Sequence, residues 1–389
     1  MKKKVLLLCI TFLTLFGVMY ASFHVEKTPS GVSTHYSQFP HEYSLSGEGF
    51  IINGEFVRFP FRIRQKGDYV YILDMHGERN FCHILNKDKM TNVVSFARRG
   101  NGPEEILQAM DLHVVSEDSI WLYDTNKREI TLWGYSSDHC TVLLKDCVKF
   151  DDKIDNSSNC SWKCDSVFFF TDKSGHNRIL MVDKSGKIEK HIGTIPSDNK
   201  VDNNKLGILA QAWNSYVHYN PQHKMLVTAT QLGEVIEIYN LETNKRQVIV
   251  GPYGEPQYAT TNDGWAVPTG IMGFSDVQIT DNYIYAVFHG RSFKDIIRDP
   301  HRTLDGGEYI HVYDLSGQPV CRLVLDRAVY GIDVDEENGV IWATDVNSEE
   351  QIIKYKIPGE LFCSFETSLR STEIAFLDTR YCLLPHNRP

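Results

Sequence analysis

Six short apolar stretches recur along the chain: YVYILD (69–74), SIWLYD (119–124), SVFFFTD (166–172), KMLVTAT (224–230), YIYAVFH (283–289) and VIWATD (340–345). Each is rich in β-branched and aromatic residues and too short for a helix, so each predicts a buried strand. Turn residues such as KGD, SED, PQHK or EENG precede them,. Ahead of most of these turns lies another short strand pattern: FRIR (61–64), MDLHVV (110–115), SYVHY (215–219), SDVQI (275–279) and YGIDV (330–334). A third strand pattern follows each core stretch: FCHIL (81–85), EITLWGY (129–135), RILMVD (178–183), EVIEIY (234–239), YIHVYDL (309–315) and QIIKYKI (351–357). A fourth follows in five cases: VVSF (93–96), TVLLK (141–145), IEKHI (188–192), RQVIV (246–250) and VCRLVL (320–325). DKSGK, LETNK and DLSGQ have the composition of hairpin turns between third and fourth strands,.

The core stretches begin at 69, 119, 166, 224, 283 and 340, a period of roughly 50–60 residues that marks a repeat architecture. Six units of four antiparallel strands predict an all-β fold, a six-bladed β-propeller of four-stranded antiparallel blades. One such sheet cannot bury both faces alone. Blades stacked in a ring bury a continuous core and remove the exposed ends. Two sandwiched β-domains are the structural alternative. The wider spacing of the later blades predicts long insertions there. No fourth strand is evident after Ile357. GEGFIING (47–54), which would latch the ring, is favoured for that place over LFCSFE (361–366). The expected organisation is a signal peptide or N-terminal anchor at 1–21, a linker at 22–42, the propeller at 43–360 and a C-terminal extension at 361–389 that packs on or closes the ring.

Composition adds compartment and excludes some partners. The chain has 389 residues and a formal charge of −10. Its start, MKKKVLLLCITFLTLFGVMYASF, is basic and then apolar, with small Ala21, which reads as a secretion signal,. The apolar run is at the short limit for a spanning helix, so an uncleaved anchor is the other reading and the only membrane link expected. Removal of residues 1–21, with Lys2, Lys3 and Lys4, leaves a charge of −13. Such a surface repels nucleic acid and anionic lipid. Export permits disulfides among the remaining cysteines. Cys160 and Cys164 in CSWKC, and Cys140 with Cys147, are the closest in sequence; small buried hydrophobes are the alternative,. The spacing does not fit a zinc site.

GIDVDEENGVIWATDVNSEEQIIKY (331–355) resembles the blades of NHL and YWTD propellers: a strand ending in Asp, a Gly-containing turn, an aromatic strand ending in Asp, then spaced aliphatics. RRGNGPEEIL (98–107) resembles the Gly-x-Gly-Pro-Gly-Glu element of the TolB-like six-bladed propellers exported by Bacteroidetes. Gly100, Gly102, Pro103 and Glu105 match, and Glu104 stands where that family usually has glycine. The resemblance covers roughly residues 40 to 360,. It implies the fold and export to the periplasm or cell envelope. It implies no reaction, because fold does not carry function.

Function must then be sought in loops. In a meander of strands A to D, the A–B and C–D turns lie on one face of the ring and the B–C and D–A connections on the other. The segment around Arg98 and Arg99 is a D–A crossover, with Gly100 and Gly102 free to adopt positive φ and Pro103 fixing its own. It fails as a dinucleotide fingerprint, since Glu105 replaces the last glycine and a strand follows. An anion site at Arg98 and Arg99 is opposed by Glu104 and Glu105, and a salt-bridged turn is favoured. The longest irregular stretches, 194–214, 251–274 and 290–308, should share that face,. They carry Trp213, Tyr253, Glu255, Tyr258, Trp265, Arg291, Phe293, Lys294, Arg298, His301 and Arg302, with His289 at their edge. Aromatic faces with interspersed charges suit a sugar or peptide, although the loops could equally pack over the ring.

Two function classes follow. One is an exported binding module for a protein, peptide or glycan in the cell envelope, working through this face without a cofactor. The other is a metal-dependent hydrolase or lactonase, resembling gluconolactonase-type propellers. There Asp74, Asp124, Asp172 and Asp345, with His289, would hold a divalent ion such as Ca²⁺ at the channel mouth. The same aspartates also suit a structural use, accepting turn N–H bonds. DVDEENG (333–339) lacks the glycine and distant Glu of an EF-hand loop,. No Gly-x-Ser-x-Gly, His-Glu-x-x-His or phosphate-loop motif is present,, so catalysis has no sequence signature. A purely structural envelope subunit is the alternative to both.

Overall fold

Each apolar core stretch becomes the second strand of a blade, hydrogen-bonded on both sides, as the computed structural model shows for residues 30–53, 57–155, 159–164, 167–198, 202–299 and 305–361. Blade one runs Pro60–Lys66, Tyr69–Asp74, Asn80–Asn86 and Asn92–Arg98, and blade two Ala109–Ser116, Ser119–Asp124, Glu129–Ser136 and Thr141–Lys149. Blade three is Cys160–Cys164, Val167–Thr171, Ile179–Asp183 and Ile188–Ile192; blade four is Ser215–Asn220, Met225–Thr230, Val235–Asn240 and Lys245–Val250. Blade five is Phe274–Ile279, Tyr283–Phe288, Gly307–Asp314 and Pro319–Val329. Within each blade, neighbours in sequence pair antiparallel. The second strands read as continuous apolar runs because both of their faces are covered. Ile120, Trp121, Leu122 and Tyr123 are all buried, pointing alternately to the two adjoining blades,.

Blade six closes the ring by a latch from the N-terminal side. Ile332–Asp335, Val340–Thr344 and Ile352–Lys356 supply three strands, and Glu48–Phe50 pairs antiparallel with Ile352–Lys356 as the fourth. The chain before it also does more than link. Ser30–His35 adds a fifth strand, parallel, outside Lys245–Val250 of blade four, and Glu42–Leu45 does the same outside Pro319–Val329 of blade five. Within 22–42, Ser30–His35 is therefore a blade strand and Glu42 begins another, with 36–41 connecting them. The leader and anchor readings at 1–21 and most of the C-terminal extension lie outside the described residues. No helix among the described residues is long and apolar enough to cross a membrane.

The first strand of blade three escaped the strand pattern. It is CSWKC itself, Cys160–Cys164, paired with Val167–Thr171. A bridge between its two cysteines is thereby excluded. Residues four apart in one strand stand about 13 Å from each other, whereas bridged Cα atoms lie within about 7 Å. Cys160 is buried and free, as are Cys82 and Cys321, while Cys140 and Cys147 are exposed and free. The long insertions carry their own short elements: helices Leu206–Ala212 and Phe293–Arg298 and a hairpin of Tyr258–Thr260 with Ala266–Pro268.

Candidate functional site

The crossover after blade one is a closed turn. Arg99 donates through Nε to the Gly77 carbonyl at 2.9 Å and lies over the Phe81 ring, 4.3 Å from its centroid. Glu105 accepts the Gly102 N–H at 2.9 Å, and Lys127 Nζ caps the carbonyls of Gly102 (2.7 Å) and Glu105 (2.6 Å). The Glu105 carboxylate packs against Gly100, where a β-carbon would displace it. Arg98, 77% exposed, makes a 3.5 Å ion pair with Glu105. The pair sits between blades one and two, and Glu105 already answers its positive charge.

The strand-end aspartates are turn acceptors. Asp74 takes the N–H groups of Phe59, Arg58 and His76 at 2.9–3.0 Å. Asp124 takes those of Leu107 (2.7 Å), Gln108 (3.2 Å), Asn126 and Lys127 (3.1 Å each). Asp172 binds Ser174 through N–H and hydroxyl and Asn177 through N–H and side chain, and Asp345 accepts from Asn347. All four hold B–C turns, and Asp74 and Asp124 also hold the crossovers that precede their blades. No group of three or more His, Cys, Asp or Glu side chains converges on a metal-sized point among the described residues. The four strand-end aspartates sit as separate turn caps, one each in blades one, two, three and six, and His289 stands apart from them, with Nδ1 accepting the Arg291 N–H at 3.1 Å.

The three insertions do meet on one face. Glu255 accepts from Ser197 Oγ (2.8 Å) and the Asp198 N–H (3.0 Å), Gln211 Oε1 accepts the Ala266 N–H, and Met272 exchanges backbone bonds with Arg291 and Gly290. They differ in what they expose. Trp213, expected on the ligand face, is 1% exposed and packs with Leu209, Val235, Val248 and Val250. Beneath it Arg178, 2% exposed, binds Glu237 (2.6 Å), the Trp213 carbonyl (2.7 Å) and Ser215 Oγ (2.5 Å). Trp213 is a core residue, because its helix folds back onto blade four instead of standing off it. Tyr258 is half-buried beside it. Trp265 is 64% exposed at the hairpin tip and Tyr253 51% exposed. Arg298 ends an exposed helix with Phe293 and Lys294, and His301 and Arg302 lie outside the described residues.

Tyr253, His289 and Arg291 come together in a cleft of about 430 Å³ at the outer seam of blades four and five. The opposite wall is Tyr36, Phe39 and Glu42 from the N-terminal segment, with Glu308, Tyr309 and Arg322 from blade five. Arg291 lies 3.6 Å from Glu308, and Arg322 bonds Glu42 through Nε at 2.9 Å while standing 5.0 Å over the Tyr309 ring. The floor is a buried polar cluster. Tyr36 donates to Glu234 Oε1 (2.7 Å) and meets the Tyr313 hydroxyl (2.8 Å), and Glu234 Oε2 accepts the Tyr253 N–H (3.2 Å). His311 Nδ1 is 3.3 Å from Glu234, its ring held between Phe39 and Phe288. Burial raises the Glu234 carboxyl against the pull of the Tyr36 hydrogen bond, and burial together with Arg322 drives His311 well below the usual imidazole range,. Glu234, Tyr36, Glu42, Tyr309, His311 and Arg322 carried no sequence signal as a group. They are up to about 290 residues apart in the chain, and meet only through the parallel fifth strands.

The TolB-like 6-blade propeller-like family matches residues 37–337. The chain belongs to that family. Its fold is shared by a member of the DUF4221 family from Bacteroides vulgatus, at 11% identity, with 80% of this chain and 97% of that one covered and a TM-score of 0.51. A protein described as exported from Bacteroides fragilis superposes over 84% of this chain and 100% of its own at 11% identity and a TM-score of 0.47. Streptogramin B lyase does so over 81% and 98% at 14% identity and a TM-score of 0.47. No match is found among curated proteins.

In this TolB-like ring the central channel is closed by its own side chains. Arg62, Arg64, Asp111, His113, Trp162, Tyr216, His218 and Asp276 surround a space of about 10 Å³, room for about one water. Its polar groups tie blades together. Gln278 bridges Ile332 and Val334, Asp276 accepts the Ile332 N–H, Asp333 accepts the Gln65 N–H, and His218 accepts the Ile279 N–H. The off-axis cleft differs from the channel in having about 430 Å³ of space beside its charged and aromatic side chains.

Proposed function

We propose that this TolB-like propeller is an exported binding module of the cell envelope, which recognises a protein, peptide or glycan ligand through the cleft between blades four and five. The observation that carries the reading is the convergence of Tyr253, His289 and Arg291 with Glu308 and Arg322 around one cleft, on the face that also bears exposed Trp265. Ligand sites are typically concave, with a few placed polar groups among aromatic ones. Export is supported by the basic-then-apolar start of the chain,. The acidic surface, −10 overall, argues against nucleic acid as partner,. The role calls for no cofactor. Affinity capture from envelope extracts tests it: the wild-type protein should retain a partner that Arg291→Ala and Tyr253→Ala lose. Capture unchanged by both substitutions would count against the cleft as the binding site.

A further inference from the structure

The charges of the same cleft narrow the ligand, and this step rests on the binding role proposed above. Each guanidinium is already matched to a carboxylate: Arg291 to Glu308 at 3.6 Å, Arg322 to Glu42 at 2.9 Å. The third carboxyl, Glu234, is 3% exposed and engaged by Tyr36, Tyr253 and His311. An anionic ligand would have to draw an arginine away from its glutamate, and a cationic one a glutamate from its arginine. An apolar ligand would strand both pairs out of water. A neutral ligand dense in hydroxyls meets none of these costs. Each hydroxyl donates to a carboxylate and accepts from the guanidinium beside it, so both pairs survive binding.

The aromatic groups fit the same ligand. Tyr253 is 51% exposed and its ring is backed by Phe288 at 5.8 Å. That is a supported flat face with a polar tip, on which the C–H face of a sugar ring can stack while its edge hydroxyls reach the charged pairs. A volume of about 430 Å³ is near the lower end of ligand sites, about 300–1,000 Å³, and suits a short saccharide unit. We infer that the cleft between blades four and five is a saccharide subsite for a neutral, polyhydroxylated sugar unit.

Calorimetric titration of the purified protein tests this. The probes are neutral oligosaccharides of glucose, galactose, mannose and N-acetylglucosamine, together with their uronic-acid counterparts. At least one neutral sugar should bind. Its affinity should fall about ten-fold or more in Tyr253→Ala, Glu308→Gln and Arg322→Gln, a loss of about 1.4 kcal/mol. Tyr253→Phe, which keeps the stacking face, should bind within about three-fold of wild type, and guards against a folding artefact. A uronic-acid counterpart that binds more tightly than its neutral form overturns the inference, as does indifference to Tyr253→Ala. If no sugar binds while envelope capture still depends on Arg291, the saccharide inference falls and the binding role stands. If both fail, both fall.

Discussion

The central channel and the seam between blades four and five are both rich in charge, and they use it in opposite ways. In the channel Arg62 is 3% exposed, lies over the rings of Phe61 and Tyr216, and faces Asp276 at 3.9 Å. Six first strands converge there, so the side chains fill the space and their polar groups become ties between blades. At the seam the blades diverge, and the N-terminal segment stands off to build a second wall. There the pairs Arg291–Glu308 and Arg322–Glu42 remain half-exposed beside about 430 Å³ of open space. Charge near the axis ties blades together, and charge at the rim stays paired but half-exposed beside open space.

The strongest way to break that contrast is in the channel. Arg62→Met removes the cation 3.9 Å from Asp276 and one of the two that act on Asp111, and urea unfolding should show a loss of about 3–5 kcal/mol. A near-neutral result would mean that the channel charges are not structural. Next in size is Asp124→Ala. Four N–H groups lose their acceptor, which should cost about 1–3 kcal/mol, and added calcium should not move the melting temperature of the wild type. A rise of several degrees with calcium would restore the strand-end acids as a metal site.

A smaller effect should appear in pH dependence. Burial lifts the Asp111 carboxyl to about 6, although Arg62 and Arg64 pull it down. The folded state therefore prefers it protonated. Its contribution is full below about pH 4 and is lost as the pH climbs through about 6. Burial takes His113 down to about 4 and His218 to about 3, so their contribution is full above about pH 6.5 and lost as the pH falls through those values. Asp111→Asn should gain stability relative to wild type between pH 4 and pH 7 in thermal melts. A difference independent of pH would show that Asp111 does not titrate in this range.

The smallest expected change is at the rim. Arg322→Gln alters a side chain that is 40% exposed and should shift stability by less than about 1 kcal/mol, while weakening ligand binding. A large destabilisation there would erase the distinction between the two regions.

Much of the fold was legible in the residues. The strands around YVYILD, SIWLYD and YIYAVFH lie where their apolar runs predict, and GEGF closes blade six. CSWKC was missed as a strand because two cysteines and a lysine mask the pattern. Trp213 was misplaced because an aromatic residue in a long insertion reads the same whether its loop projects or folds back. Of the face residues, Tyr253, His289 and Arg291 reach one cleft. Arg98 and Arg99 are spent on a crossover.

What the sequence determined by itself is the repeat: period, blade number, strand order, and therefore the end of the ring at which D–A and B–C insertions emerge. These follow from short-range rules, namely strand length, side-chain alternation and turn chemistry. Only the tertiary structure decided where the cleft lies, that Ser30–His35 and Glu42–Leu45 join blades four and five, and that the strand-end aspartates cap turns. Those outcomes depend on contacts between residues hundreds of positions apart, such as Tyr36 with Glu234 and Glu42 with Arg322, and no local pattern in a single chain encodes which distant partners will meet.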